Sequence, residues 1–135
     1  MKLRESLTCF VLGGIGYGAL ELMTRGRTHW SMLLTGGACM TGVYALNKKR
    51  RHKPVLSTCA LCAGLITTAE YAVGCYVNIK KQWHVWDYSR MPLNVRGQIC
   101  LPYTCLWFLL CLPLAPLSHG LESCLCSEQK AGSRA

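Results

Sequence analysis

Four apolar segments of membrane-spanning length alternate with short polar loops along this chain. They cover residues 6–23, 30–46, 55–79 and 99–117. As helices, segments of these lengths rise about 26–38 Å, which matches a bilayer core of about 30 Å. Because backbone N–H and C=O groups find no water in lipid, they must bond within the helix itself. The sequence therefore predicts an all-α membrane protein, a compact bundle of four transmembrane helices that forms a single domain over residues 1–117.

The charged residues lie between these segments and predict the orientation of the chain. Only 16% of the residues are charged, against about 25% in soluble domains. The loop Asn47–Pro54 carries five Lys and Arg residues, and with both termini this side of the bundle holds nine of the 15. The positive-inside rule then places both termini in the cytoplasm, including a short tail over residues 118–135. The net charge of +9 is interpreted as a topology signal beside anionic lipid, and no nucleic-acid partner is expected.

The ten cysteines do not indicate a disulfide scaffold. Eight of them lie within or at the edges of the apolar segments, where Cys packs as a small hydrophobic residue. Disulfide scaffolds place their cysteines in short secreted domains instead. Cys59-x-x-Cys62 has the spacing of a zinc or redox motif, but no second pair follows at zinc-ribbon spacing. No metal and no cofactor are predicted.

Glu21 and Glu70 are the acidic residues that fall inside the predicted helices. An ionisable group at membrane depth is costly, so it is expected to face the bundle interior and to find a partner there. Glu21 lies near a helix end and can pair with Arg25 at i,i+4 spacing. Glu70 lies deeper, and two interpretations stay open for it. One is structural pairing with an arginine such as Arg25, Arg27 or Arg96; the other is a role with a substrate or a proton.

An aromatic and polar loop, Trp83–Asn94, separates the third and fourth segments. Such residues are typical of the membrane–water interface, so we expect the loop to lie there. The loop residues that would line the outer mouth of a pathway are Trp86, Asp87, Tyr88, Arg90 and Asn94. His84 and Asp87 stand at i,i+3, so a helical turn would put them on one side. Two such ligands are too few for a metal site, which needs about three or four.

The two halves of the chain follow a similar order of features. Each has an apolar segment with a Glu, a basic loop, an aromatic and polar motif, and a second apolar segment. This order suggests the hypothesis that the bundle consists of two parallel-repeat hairpins. Gly14-x-x-x-Gly18 has the small-xxx-small spacing that lets helices approach closely. Packing within one bundle is favoured here over an oligomerisation face or a gate.

Two stretches carry a family resemblance. The first joins Gly16-Tyr17-Gly18-Ala19-Leu20-Glu21 to Arg25-Gly26-Arg27-Thr28-His29-Trp30-Ser31, and the second joins Trp86-Asp87-Tyr88-Ser89 to Pro92-Leu93-Asn94 and Gly97-Gln98-Ile99-Cys100-Leu101. From Gly13 to Leu110 the chain resembles the bacterial membrane family labelled putative ABC-transporter type IV, or putative ABC transporter permease. The resemblance implies a multi-pass protein of the cell membrane. Longer members of that family usually have a basic residue where Gln98 stands, which weakens an ion-pair role at this position.

These observations lead to three functional hypotheses. The first is a permease-like transporter subunit of unknown substrate, in which Glu21 and Glu70 supply polar groups inside the bundle. Because the sequence has no P-loop, ATP-driven transport would need a partner ATPase, and a channel or carrier this small would need a homo-oligomer or a partner. The alternative is a non-transporting membrane protein with an assembly, regulatory or envelope-interaction role. An enzyme is not expected and no catalytic residue is assigned; a membrane enzyme would require Glu70, His84 and Asp87 close together.

Overall fold

Four helices and one small loop hairpin make up the part of the chain that the structure describes. The computed structural model covers the backbone of residues 3–132 and the side chains of residues 3–121 and 123. The helices are α1 Leu3–Arg25, α2 Trp30–Lys49, α3 Val55–Gly74 and α4 Leu101–Gly132, and α3 continues as a π-helical segment, Cys75–Lys80. Strands β1, Asn94–Val95, and β2, Ile99–Cys100, pair antiparallel with Asn94 opposite Cys100. The prediction of an all-α chain with four helices is confirmed.

Three of the helices are long and apolar enough to cross a membrane. They are Leu3–Arg25, Val55–Lys80 and Leu101–Leu121, with mean hydropathies of 1.4, 1.4 and 1.5. Helix α2 has 20 residues but is less apolar, because it contains polar residues such as Ser31, Thr35 and Asn47. The three spans indicate a multi-pass membrane protein, whereas the fourth predicted span, α2, is long enough to cross a membrane but less apolar than the other three.

The bounds of α4 differ from the sequence prediction at both ends. The helix begins at Leu101 rather than at residue 99, because Ile99 and Cys100 pair as strand β2. We predicted that it ends at residue 117 and that a tail follows; instead, α4 continues to Gly132 with Pro113 and Pro116 inside it. Each proline removes one backbone donor. The residues beyond the prolines include the good helix formers Leu, Glu, Gln, Lys and Ala, which favour continuation of the helix.

Helices α1 and α2 form a hairpin that glycines allow to pack very closely. A Cβ atom built at Gly37 would lie 2.7 Å from the carbonyl oxygen of Phe10, and one built at Gly14 would lie 2.9 Å from that of Leu33. Gly18 also faces the Leu33 side chain. The Gly14-x-x-x-Gly18 pattern therefore serves helix packing within the bundle, as the favoured interpretation holds.

The second hairpin, α3 and α4, packs with α2 around an apolar core. The core residues are Cys39, Val43, Cys59, Cys62, Ala63, Ile66, Trp107 and Cys111. Four of these eight are cysteines, and the eight cysteines with described side chains are all free thiols. This confirms for that part of the chain that Cys acts as a packing residue. The relation of the two hairpins as a parallel repeat stays a prediction.

A polar contact between distant segments lies at each end of the bundle. At the end with the Asn47–Pro54 loop, Lys48 Nζ lies 3.0 Å from Glu5 Oε2 and joins α2 to α1. At the other end, Arg25 Nη2 donates to the hydroxyl of Tyr88 at 2.7 Å and joins α1 to the third loop, residues 81–100 between the π-helical segment and α4. The first loop, residues 26–29 between α1 and α2, lies at the same end of the bundle, as the alternation of helices requires.

We expect Gly37→Ala to destabilise the α1–α2 hairpin. The added methyl group would collide with the carbonyl oxygen of Phe10. Because this oxygen is part of the α1 backbone, it cannot shift freely, and overpacking of this kind costs roughly 1–3 kcal/mol. Thermal unfolding in detergent would show a lower Tm. Gly64→Ala is the matched control, because its Cβ meets no atom within 4 Å. Equal Tm values for the two variants would contradict the close packing.

Candidate functional site

A buried carboxylate, Glu70 of α3, joins three helices. Its side chain is deeply buried, the residue being only 2% exposed. Oε1 accepts a hydrogen bond from the Tyr17 hydroxyl of α1 at 3.1 Å, and Oε2 accepts one from Trp107 Nε1 of α4 at 2.9 Å. The Tyr17 and Trp107 rings stack with their centroids 5.7 Å apart. Glu70 thus takes neutral aromatic donors, and the arginine pairing considered from the sequence is not the arrangement found.

The second buried carboxylate, Glu21, has the arginine partner that its spacing predicts. Arg25 Nη1 lies 3.2 Å from Glu21 Oε1, at i,i+4 on α1. Thr28 Oγ1 donates to the other oxygen, Oε2, at 2.7 Å. Both oxygens are therefore satisfied although the residue is 5% exposed, as a group near membrane depth requires.

Arg25 extends this network from α1 to the third loop. Besides Glu21, its guanidinium bonds the Tyr88 hydroxyl and lies 5.5 Å from the centroid of that ring. Tyr88 in turn stacks on Tyr103 of α4, with centroids 4.6 Å apart. Burial raises the pKa of the Tyr88 hydroxyl, so it stays neutral and can accept from arginine. The loop is anchored to two helices by this one tyrosine.

The two carboxylate networks lie along one stripe of α1. Tyr17, Glu21 and Arg25 follow one another at intervals of four residues, which places them on the same helical face. Tyr17 bonds the deep carboxylate of Glu70, and Arg25 bonds the loop at the end of the bundle. A polar line therefore runs from the middle of α1 to its end.

Asn78 and Gln98 hold the third loop against the bundle. Asn78 Nδ2 donates to Gln98 Oε1 at 2.8 Å, and Asn78 Oδ1 accepts from the backbone N–H of Val85 at 2.8 Å. Trp86 Nε1 donates to the carbonyl oxygen of Gln98 at 2.9 Å. Asn78, Trp86 and Gln98 are all buried. The neutral amide and the backbone carbonyl of Gln98 therefore have a structural task, which is to hold Asn78 and Trp86.

The Asp87–Gly97 segment forms a compact turn through its own polar side chains. Asp87 Oδ1 accepts from Ser89 N at 2.8 Å, and Oδ2 accepts from Ser89 Oγ at 2.9 Å. These two donors hold the pKa of Asp87 below its ordinary value. Asn94 Nδ2 donates to the carbonyl oxygens of Ser89 and Met91, while its Oδ1 accepts from Gly97 N. Gly97 has a φ of +68°, a conformation that suits glycine.

The candidate pathway residues therefore separate into three environments. Glu21 and Glu70 lie inside the bundle, and Trp86 and Tyr88 are each 5% exposed beneath the loop. Asp87 and Arg90 are exposed, and Asn94 is half-buried in the turn. A shared role of the seven residues in a pathway stays a prediction. The sequence analysis did not predict the contacts made by Tyr17, Asn78, Gln98 and Trp107. The one available signal was Asn78, a polar residue within an apolar segment, which indicates a buried hydrogen bond.

The residues of the enzyme hypothesis do not share one environment. Glu70 is bonded to two aromatic rings in the core, whereas His84 and Asp87 lie exposed on the loop. The loop does not form the helical turn that their i,i+3 spacing suggested, since His84 has a φ of +49°. Among the residues that the structure describes, no three His, Cys, Asp or Glu side chains are grouped as metal ligands.

A laterally open apolar groove lies beside the Glu70 network. Its volume is about 390 Å³, and its walls come mainly from α1, α2 and α4. Residues that shape it include Gly13, Gly16, Tyr17, Met40, Trp107 and Leu110. The two aromatic rings that donate to Glu70 therefore also form part of the groove wall.

The model of a known protein family matches most of this chain. The family is described as "Putative ABC-transporter type IV", and its model matches residues 19–130. The matched range contains Glu21, Glu70 and the whole third loop. No curated protein and no solved structure matches the chain.

We expect Glu70→Gln to retain the fold and Glu70→Ala to lose stability. A Gln side chain keeps an oxygen for Trp107 Nε1–H and offers an N–H to the Tyr17 hydroxyl oxygen, which can also accept. Alanine leaves both donors without a partner, at roughly 1–3 kcal/mol for each donor, or about 2–6 kcal/mol in total. Thermal unfolding of the two variants in the same detergent measures the difference. If Gln destabilises as much as Ala, the negative charge itself is required for folding.

Proposed function

Because the chain belongs to the putative ABC-transporter type IV family, we propose that it is a permease-like subunit of a membrane transporter. The observation that carries the proposal is the groove of about 390 Å³ along α1, α2 and α4. Its volume falls within the range of about 300–1,000 Å³ that is typical of small-molecule sites. The apolar walls favour an apolar or amphipathic solute that enters sideways from the lipid.

In this proposal all four helices cross the membrane. Helix α2 runs antiparallel to α1 and contacts it along its length, from Leu33 beside Gly14 to Thr41, whose hydroxyl lies 3.5 Å from the carbonyl oxygen of Ser6. If α1 spans the bilayer, α2 must span the same layer. The polar hydroxyl of Thr35 and the amide of Asn47 bond to carbonyls one turn earlier, at 2.7 and 3.0 Å, which makes their presence in lipid tolerable.

Glu70 acts in this proposal as a positioning residue for the groove. It does not need to touch the solute, because Tyr17 and Trp107 stand between the carboxylate and the groove. By accepting from both rings it fixes the aromatic wall. Glu21 plays the corresponding part at the end of α1, where it orients Arg25 toward Tyr88.

The third loop would form the outer surface over the bundle. Trp86 and Tyr88 fill the space beneath it, and Asn94 maintains its turn. Asp87 and Arg90 are exposed to water and would be the first groups that an approaching solute meets. The chain has no P-loop of its own, so we infer that ATP-driven transport would use a partner ATPase.

A second candidate function, a non-transporting assembly or regulatory role, is favoured by a different observation. The carboxylates of Glu21 and Glu70 are fully engaged by groups of the same chain, Glu70 by two rings and Glu21 by Arg25 and Thr28. Such engagement suits a purely structural role. Identification of bound molecules distinguishes the two functions.

For the groove, we expect that native mass spectrometry of protein purified from membranes will show a partner ATPase and an apolar solute. Gly16→Trp should abolish solute binding, because Gly16 lines the groove and has open space at its Cβ. Gly64→Trp, which places the same ring in a separate groove between α3 and α4, should leave binding unchanged. Absence of both ATPase and solute from the native protein would favour the assembly role.

For the topology, we expect the third loop to face outward and the Asn47–Pro54 loop to face the cytoplasm. In intact cells a membrane-impermeant amine reagent should modify exposed Lys80 and Lys81 but not Lys49 or Lys53. Permeabilised cells provide the control, since all four should then react. Modification of Lys49 or Lys53 from outside would reverse the proposed orientation.

A further inference from the structure

A small polar cleft lies where the first and third loops meet, apart from the apolar groove. Its volume is about 130 Å³, and its lining includes Glu21, Arg27, Thr28, His29, Trp83 and His84. This is well below the roughly 300 Å³ of the smallest drug-sized sites. The cleft therefore suits a small polyatomic group rather than a whole organic solute, and the proposed transport function does not use it.

Aromatic rings frame the cleft and place it at the level of lipid head groups. Trp83 lies 5.3 Å from His29 and 5.9 Å from Trp30, measured between ring centroids. Trp30 is 56% exposed and Trp83 is 43% exposed, as expected for aromatic residues at the membrane–water interface. Gln82 and His84, with φ of +55° and +49°, turn the chain on either side of Trp83.

The acidic group of the cleft is already neutralised by its neighbours. Glu21 gives one oxygen to Arg25 and the other to Thr28. Its charge is therefore balanced within the chain, and a cation would have to displace Arg25 or Thr28 to bind it. The remaining polar groups of the cleft decide which ligand fits.

Each of the remaining groups has a nitrogen that can donate a hydrogen bond. Arg27 brings a permanent positive charge. His29 Nδ1 lies 2.7 Å from Ser31 Oγ and accepts from the backbone N–H of Ser31 at 3.3 Å; in the tautomer in which Nδ1 accepts from both groups, Nε2 carries the ring proton and can donate. His84 adds a second imidazole from the third loop. The cleft also adjoins the N-terminus of α2, where His29 is the N-cap and the helix dipole favours negative charge.

We propose that this cleft binds a phosphate group, carried by a phospholipid head group or by a free phosphate compound. A phosphate has the small size, negative charge and several acceptor oxygens that match one guanidinium, two imidazoles and a helix N-terminus. The interfacial Trp residues place these donors at the depth where lipid phosphates lie.

The test uses the full chain in a phosphate-free detergent. Native mass spectrometry is performed with added phosphatidylglycerol, with diacylglycerol of the same acyl chains, and, separately, with inorganic phosphate as titrant. Arg27→Gln removes the permanent charge of the cleft, whereas Arg96→Gln removes an exposed charge of the third loop that does not line the cleft. Thermal unfolding confirms that both variants fold.

Selective binding of phosphatidylglycerol over diacylglycerol, weakened about tenfold by Arg27→Gln and unchanged by Arg96→Gln, would support a lipid head group. Saturable binding of inorganic phosphate with the same dependence on Arg27 would support a free phosphate compound. Absence of both kinds of binding, or equal losses in the two variants, would overturn the proposal. Equal binding of diacylglycerol and phosphatidylglycerol, without phosphate binding, would also overturn it.

Discussion

The hydrogen bonds of Glu70 to Tyr17 and Trp107 are the interaction on which the arrangement of α1, α3 and α4 depends. A carboxylate with 2% exposure can remain inside an apolar bundle only if both oxygens find donors. The two donors come from two other helices, so satisfying the carboxylate fixes the positions of all three. The same rings form the wall of the apolar groove, which links the stability of the bundle to the shape of its candidate site.

The third loop is built by a different kind of constraint, its own side chains. Asp87 and Asn94 replace missing backbone partners in the turn, and buried Asn78 and Gln98 fasten the loop to the helix ends. The residues that carry the family resemblance therefore have a structural use that accounts for much of the motif. What remains for an external ligand is the exposed outer surface of the loop and the polar cleft beside Trp83.

The proposed roles of the site follow from which polar groups are engaged within the chain. The carboxylates of Glu21 and Glu70 are satisfied by neighbouring side chains, so the direct contacts available to a solute are aromatic and apolar within the bundle. At the interface, Arg27 and the two histidines present donors. The apolar groove suits the hydrocarbon part of an amphipathic molecule, and the cleft that contains Arg27 suits a polar head group. Both parts occur together in molecules that lie at a membrane surface.

The sequence by itself determined the helical class, the approximate positions of the first three helices and the Glu21–Arg25 pair, because these depend on local hydropathy and on i,i+4 spacing. It also indicated that cysteines and Gly14-x-x-x-Gly18 serve packing. It could not determine the partners of Glu70, since Tyr17 and Trp107 lie 53 and 37 residues away along the chain. The cleft around Arg27 was likewise decided only in three dimensions, where the first and third loops meet and contacts between distant segments select one arrangement among many that local spacing allows.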